Sequence, residues 1–212
     1  MEQDDYIVPY YRDRGLVLGR GMGVTAQDKR IAGLIQKARK PAIIVLNKWD
    51  LVKPERGEKQ SARELIEETR SRIFFLDYAP VLITSAPTGE NVDRLFASIQ
   101  KIRRAAQKRI GTGVLNRLLR QAFEANPPPL VKGRRLKLFY TTQPGSGGFQ
   151  KREARASSPL HPPEFVMFVN DPRMMTETYR RYLEARVREA EPYPGLPIML
   201  TLRPRARDIG RR

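Results

Sequence analysis

The chain has 212 residues with 40% hydrophobic content, enough for one or two domains with modest cores, and a formal net charge of +17. It contains no cysteine, which excludes disulfides and thiolate metal sites and fits a reducing cytoplasm. No apolar run reaches the length of a membrane-spanning helix, and the acidic start Met-Glu-Gln-Asp-Asp does not read as a signal peptide.

Residues 1–23 match no regular element; they are polar, carry Tyr6, Tyr10 and Tyr11, and end in the glycines Gly15 to Gly23. Val24 to Ala38 has helical periodicity, with Ile31, Leu34, Ile35 and Ala38 on one face. Thr25 is placed as its N-cap, and Asp28 at the third helical position completes a capping-box variant. Pro41 marks a break before Ala42-Ile43-Ile44-Val45-Leu46, an unbroken apolar run of the kind that forms a buried parallel strand. Residues 55–73 read as a charged amphipathic helix and Val81–Thr84 as a short strand. Asn91 is placed to cap a further helix whose core face is Val92, Leu95, Phe96, Ile99 and Ile102. Helices alternating with apolar strands predict an α/β unit with a parallel sheet.

A second unit follows. Gly111-Thr112-Gly113 opens a helix that reaches about Ala125 and is stopped by Pro127-Pro128-Pro129. Arg135–Thr142 alternates through Leu136, Leu138 and Tyr140, predicting a strand with one solvated face. Residues 143–163, with Gly145-Ser146-Gly147-Gly148, Pro159 and Pro162-Pro163, read as a loop. A strand at Phe165–Val169, a helix over Pro172–Ala190 and a strand at Pro197–Leu202 complete an α-β-β-α-β order, a small α+β domain. Met174-Met175, Tyr179 and Tyr182 read as packing residues, and the lone His161 as a loop residue.

The most informative motif is Asn47-Lys48-Trp49-Asp50, directly after the first apolar strand. Ser85-Ala86-Pro87-Thr88-Gly89 follows the second strand, Ser85 standing thirty-five residues beyond Asp50. Guanine presents two adjacent donors, N1–H and the 2-amino group, and an ionised carboxylate such as Asp50 accepts both in a bidentate pair. Adenine has no 2-amino group and leaves that carboxylate unpaired, at a cost on the order of a few kcal/mol. Asn47 suits the opposite edge of the base and the bracing of the neighbouring loop. Lys48 can lay its stem along the base face, and the Ala86 N–H is placed for the guanine O6. Both loops leave the carboxyl ends of parallel strands, where open α/β sheets bind ligands.

The remainder of a nucleotide site is absent from the sequence. No G-x-x-x-x-G-K-[ST] loop is present, and Gly19-Arg20-Gly21-Met22-Gly23 lacks the Lys-Ser/Thr pair and the preceding strand. Nor does a D-x-x-G loop for a metal and terminal phosphate occur ahead of the base loops.

With these motifs in order, the chain resembles the C-terminal half of the Der (EngA) family, bacterial GTPases with two tandem G domains and a KH-like domain. The resemblance rests on Gly23-Val24-Thr25-Ala26-Gln27-Asp28, Arg30-Ile31-Ala32-Gly33, the two base loops, Pro127 to Arg135, Tyr179-Arg180-Arg181-Tyr182-Leu183 and Gly195-Leu196-Pro197-Ile198, and covers roughly residues 22–203. It implies an unmatched segment at 1–23, the C-terminal part of a P-loop-type G domain at 24–108, a KH-like domain at 109–203 and a basic tail at 204–212. By match, Asn47, Lys48 and Asp50 are the base-specificity residues, with Ser85 and Ala86 in the second base loop. Family membership implies GTP-dependent assembly of the large ribosomal subunit with rRNA contact, in the cytoplasm. Residues 1–21 depart from the family pattern, the first G domain is missing, and the 143–163 loop is longer than expected, so the chain reads as truncated. It is expected to hold GTP or GDP by base contacts only, with very weak affinity and no turnover. Mg²⁺ belongs to the complete family protein, and no ligand residues for it are found here.

The charge distribution agrees with an RNA partner. Residues 1–100 hold 16 Lys/Arg against 14 Asp/Glu, a net of +2, whereas residues 101–212 hold 24 against 9, a net of +15. Such concentration points to a polyanion, RNA before DNA. The candidate phosphate contacts are Arg103, Arg104, Lys108, Arg109, Lys132, Arg134, Arg135 and Lys137. A G-x-x-G grip between two helices is absent, so the KH resemblance is one of fold. The competing reading is a non-enzymatic RNA-binding module in which the G-domain remnant serves only as a scaffold.

Overall fold

The computed structural model describes residues 16–18, 24–51, 62–144 and 160–205. The expectations for Gly19 to Gly23, for Tyr6, Tyr10 and Tyr11, for Gly145 to Gly148 and for the tail beyond residue 205 lie outside the described residues. The chain divides into two compact units, the first reaching Gln107 and also taking in Pro194–Pro197, the second beginning at Lys108.

In the first unit, three parallel strands lie in the order β1-β2-β3: β1 (Leu16–Leu18), β2 (Ile44–Leu46) and β3 (Val81–Ile83). The apolar run 42–46 takes the central position and is buried throughout, because a strand with a neighbour on each edge and cover on each face has no solvated side. β1 was not expected. Leu16-Val17-Leu18 is too short for periodicity to register, yet it pairs Leu16 with Ile44 and Leu18 with Leu46.

Helix α1 (Ala26–Lys37) starts as its sequence dictates. Thr25 Oγ1 accepts from the Asp28 N–H at 3.2 Å, and Asp28 Oδ2 accepts from the Thr25 N–H at 2.8 Å. Ala32 is fully buried and Ile31 and Ile35 pack beside it, but Leu34 is 54% exposed. At about 100° per residue, Leu34 stands about 160° around the helix from Ala32 and faces away from the sheet. Helix α2 (Ala62–Arg72) occupies the later part of the charged 55–73 segment. In helix α3 (Val92–Gln107) Ile102 and Ala105 are buried, whereas Phe96, expected on the core face, is 63% exposed. Asn91 is not an N-cap in the usual conformation: its φ of +59° is left-handed, where a capping residue is extended.

Pro194–Pro197 closes this unit. The Ala42 N–H donates to the Gly195 carbonyl at 2.9 Å, and the Gly195 N–H donates to the Tyr78 carbonyl at 2.7 Å. Gly195 has φ +70°, and a Cβ there would stand 2.3 Å from Ile102 Cδ1 and 2.6 Å from its Cγ1. Both the turn and the close approach require glycine.

The second unit runs α4 (Thr112–Ala125), β4 (Leu130–Val131), β5 (Arg134–Arg135), β6 (Leu138–Thr142), β7 (Glu164–Val169), α5 (Glu177–Ala190) and β8 (Met199–Pro204). β6, β7 and β8 form a mixed sheet in that order, β6 antiparallel and β8 parallel to β7. The expected α-β-β-α-β order is present with an added hairpin, β4 paired to β5 through Lys132-Gly133. Both turn residues have positive φ, +51° and +73°, the signature of a type I′ connection that matches strand twist. The single strand expected over Arg135–Thr142 is therefore divided.

A register shift between Leu138 and Tyr140 also breaks the expected alternation. Leu138 opposes Val169, Tyr140 opposes Phe168 and Thr141 opposes Met167. Thr141 thus turns inward and is buried, while Tyr140 turns outward. Phe165, Met167 and Val169 of β7 face the core formed with Leu115, Leu119 and Ala122 of α4 and Leu183 and Val187 of α5. The Pro172–Ala190 helix is interrupted: Pro172–Met174 is a 3-10 turn, and Thr176 then caps α5 by accepting from the Tyr179 N–H at 3.3 Å. Tyr179 and Tyr182 are packing residues, donating to the backbone carbonyls of Asn126 and Ala122 at 2.8 and 2.9 Å. Asn116 of α4 reads both backbone groups of Thr141: its Nδ2 donates to the carbonyl and its Oδ1 accepts from the N–H, each at 2.7 Å.

Candidate functional site

The two motif loops leave β2 and β3 side by side. The strands pair in register to Leu46 and Ile83, and the Thr84 N–H then donates to the Leu46 carbonyl at 2.8 Å. The Trp49 N–H donates back to the Thr84 carbonyl at 3.1 Å, so backbone pairing carries past the strand ends into the loops. Lys48 makes the turn. Its φ is +63°, a conformation that costs a non-glycine residue about 1 kcal/mol or more and recurs at functional sites. Trp49 packs on the apolar cluster of the unit and anchors the 3-10 turn Trp49–Leu51. Its neighbours Lys48 and Asp50 remain half-buried at the surface.

The second loop is closed by the Ser85 N–H donating to the Glu90 carbonyl at 3.0 Å, with Gly89 at φ +74° completing the turn. This leaves Ser85 fully buried and Ala86, Pro87 and Thr88 exposed. Side chains then tie the loops together. The Ser85 hydroxyl donates to Asp50 Oδ1. Asn47 Oδ1 accepts from the Ala86 N–H at 3.1 Å and from Thr84 Oγ1 at 3.4 Å. The bracing role expected of Asn47 is thus satisfied by its oxygen, while the Ala86 N–H expected for guanine O6 is directed at Asn47 instead. The Thr84 hydroxyl and the Glu90 carbonyl were not legible as site groups; Gly89 was the one signal that the loop turns there.

Asn47, Lys48, Asp50, Ser85 and Ala86 are therefore gathered at the carboxyl ends of two adjacent parallel strands. Asp50 is oriented through one carboxylate oxygen, and its second oxygen meets no protein donor among the described hydrogen bonds. The result is a half-buried carboxylate fixed in direction with one oxygen uncommitted. Among the described residues, no cluster of three or more His, Asp or Glu side chains is gathered for a metal.

The cationic candidates are all exposed but do not form one set. Arg103 and Arg104 lie on α3 in the first unit, the rest in the second. Lys108 is paired with Glu191 at 3.0 Å, and Arg109 Nη2 donates to the Gln143 carbonyl at 2.5 Å. Lys132, Arg134 and Arg135 sit on the β4–β5 hairpin with Lys137 beyond it. Asn170 holds that stretch: its Oδ1 accepts from the Lys137 N–H at 2.8 Å and its Nδ2 donates to the Arg135 carbonyl at 2.9 Å. Among the described residues, no helix is long and apolar enough to cross a membrane.

The family described as the KH-domain-like region of EngA bacterial GTPase enzymes, C-terminal, matches residues 109–150 and 156–203. GTPase Der of Akkermansia muciniphila is 39% identical over 195 residues, 91% of this chain and 40% of its own length. The chain is a homologue of the C-terminal portion of GTPase Der. The Der of Desulforudis audaxviator is 43% identical over 183 residues, 86% of this chain and 38% of its own length. That of Protochlamydia amoebophila is 39% identical over 188 residues, covering 89% of this chain and 35% of the relative. The chain thus spans about two fifths of the length of the Der relatives it matches.

Proposed function

We propose that this chain carries the guanine-reading part of a Der-type nucleotide site, on the C-terminal part of a G domain at 24–108, joined to an RNA-contacting KH-like domain at 109–203. In this reading it serves assembly of the large ribosomal subunit through rRNA contact. The observation that carries the first part is the Asn47–Asp50 loop locked to the Ser85–Ala86 loop at adjacent parallel strand ends. Asp50 accepts guanine N1–H and the 2-amino group, with Ser85 holding the carboxylate in line. Asn47 shapes the second loop, and its Nδ2 is the group left for the far edge of the base. Lys48 covers the base face with its stem. GTP or GDP is held by base contacts, and phosphate and metal contacts are left to parts that the described residues do not include.

Base contacts without phosphate contacts supply little affinity and no hydrolysis. Equilibrium titration with fluorescent guanine and adenine diphosphates is expected to show weak binding that favours guanine. Sub-micromolar saturation, or turnover by the isolated chain, would overturn this part of the proposal.

One observation favours a second reading. Asn47 Oδ1, the Ala86 N–H and one Asp50 oxygen are all satisfied within the protein, as in a purely structural lock. The chain is then a non-enzymatic RNA-binding module with a scaffold remnant. Equal, undetectable binding of both nucleotides would favour it.

A further inference from the structure

The mixed sheet of the second unit has one face turned away from α4 and α5. Alternation and register place Tyr140 of β6, Phe168 of β7 and Arg203 of β8 in one row across that face, because Tyr140 pairs with Phe168 and Phe168 with Arg203. The Tyr140 and Phe168 rings are stacked, with centroids 4.2 Å apart and planes at 12°. Tyr140 is 45% exposed and Arg203 is exposed. Beside the row, the Arg205 guanidinium lies 5.0 Å from the centre of the Phe139 ring. The next row, Thr142-Val166-Thr201, is more enclosed, Val166 being buried, so the accessible aromatic surface is confined to the end of the sheet that carries the arginines.

We propose that this row is a stacking platform for unpaired bases of single-stranded RNA. One face of the Tyr140 ring is taken by Phe168, which braces it, and the opposite face is left for a base, whose stacking needs no base-specific hydrogen bond. Arg203 and Arg205 supply planar cations that stack and meet phosphate. The net charge of +15 over residues 101–212 favours a polyanion over an apolar peptide as occupant. Duplex RNA has no free base faces and is excluded from this mode. The platform rests on the RNA-contact part of the proposed function and is independent of the guanine loops. It also differs from the hairpin cations, which contact phosphate alone.

The test is a fluorescence-anisotropy titration of the full chain with a labelled single-stranded oligonucleotide and with a duplex of the same length. Tyr140→Ala is expected to weaken single-strand binding roughly 5- to 100-fold, the worth of one stacked base, while Tyr140→Phe retains it, and Arg203→Ala is expected to weaken it by loss of a cationic contact. Lys132→Ala with Arg134→Ala is expected to weaken both ligands alike. If the Tyr140 and Arg203 variants bind as the unaltered chain does while the hairpin variant fails, the platform is refuted and general RNA contact stands. If the unaltered chain binds neither ligand, the RNA reading itself fails. If Tyr140→Ala changes the sedimentation of the chain and leaves RNA binding intact, the face is a protein contact and the platform is equally refuted.

Discussion

Replacing Asp50 by Asn is the sharpest perturbation of the guanine loops. In the native side chain both oxygens accept, one of them already receiving the Ser85 hydroxyl. That hydroxyl keeps an oxygen at the same position after substitution, so the new amide nitrogen occupies the outer position. There it faces the guanine 2-amino group, donor against donor. One charge-assisted bond worth about 1.5–3 kcal/mol is lost and a donor worth about 1–3 kcal/mol is left unpaired, about 2.5–6 kcal/mol in all. Guanine affinity should fall by roughly two to four orders of magnitude. Xanthine carries a carbonyl at the 2-position, which accepts from that nitrogen while the amide oxygen accepts N1–H. The preference should therefore reverse. The readout is the ratio of affinities for guanosine and xanthosine diphosphates by competition at high protein concentration, with the denaturation midpoint as folding control. An unchanged ratio in a folded variant would refute bidentate recognition by Asp50.

Ser85→Ala should weaken guanine binding by about 1.5–3 kcal/mol, because Asp50 loses its orienting hydroxyl, and competition titration checks it. Gly195→Ala should destabilise the first unit by about 2–4 kcal/mol in denaturant unfolding, combining the left-handed backbone with overpacking against Ile102. Burial pushes the Tyr179 phenol well above the ordinary tyrosine range, with the neighbouring Tyr182 adding to the shift. Its stabilising contribution is therefore complete below the unfolded value of about 10 and declines as pH rises above it. Tyr179→Phe should be less stable at neutral pH, for want of the bond to Asn126, but should show a shallower loss between pH 10 and 12 in unfolding titrations.

The sequence declared the elements whose signals are local and long. The Thr25–Asp28 box, the 42–46 run and the helix from Thr112 to Ala125 need no tertiary information, and the structure contains each of them. Other features were settled by neighbours. Leu16-Val17-Leu18 becomes a strand because β2 offers it an edge. Tyr140 turns outward because one extra residue enters the pair with β7, an event alternation alone does not announce. Phe96 and Leu34 are apolar in a helical pattern, yet only residues aimed at the sheet are covered. At the candidate site, residue identities were legible but internal bonding was not. The Ala86 N–H donates to Asn47 Oδ1 because the paired strand ends bring the two loops side by side, a tertiary arrangement the sequence does not announce.

The double bond pattern from Asn116 to Thr141 has a consequence for how partners can approach the second unit. Thr141 sits on β6, the outermost strand, where a free N–H and C=O would invite an incoming extended segment. With both groups claimed by a helix side chain at 2.7 Å, that rim is sealed at its centre. Annealing of a foreign strand, whether from another molecule or from a bound peptide, is obstructed there, and recognition is steered to the broad surface of the sheet.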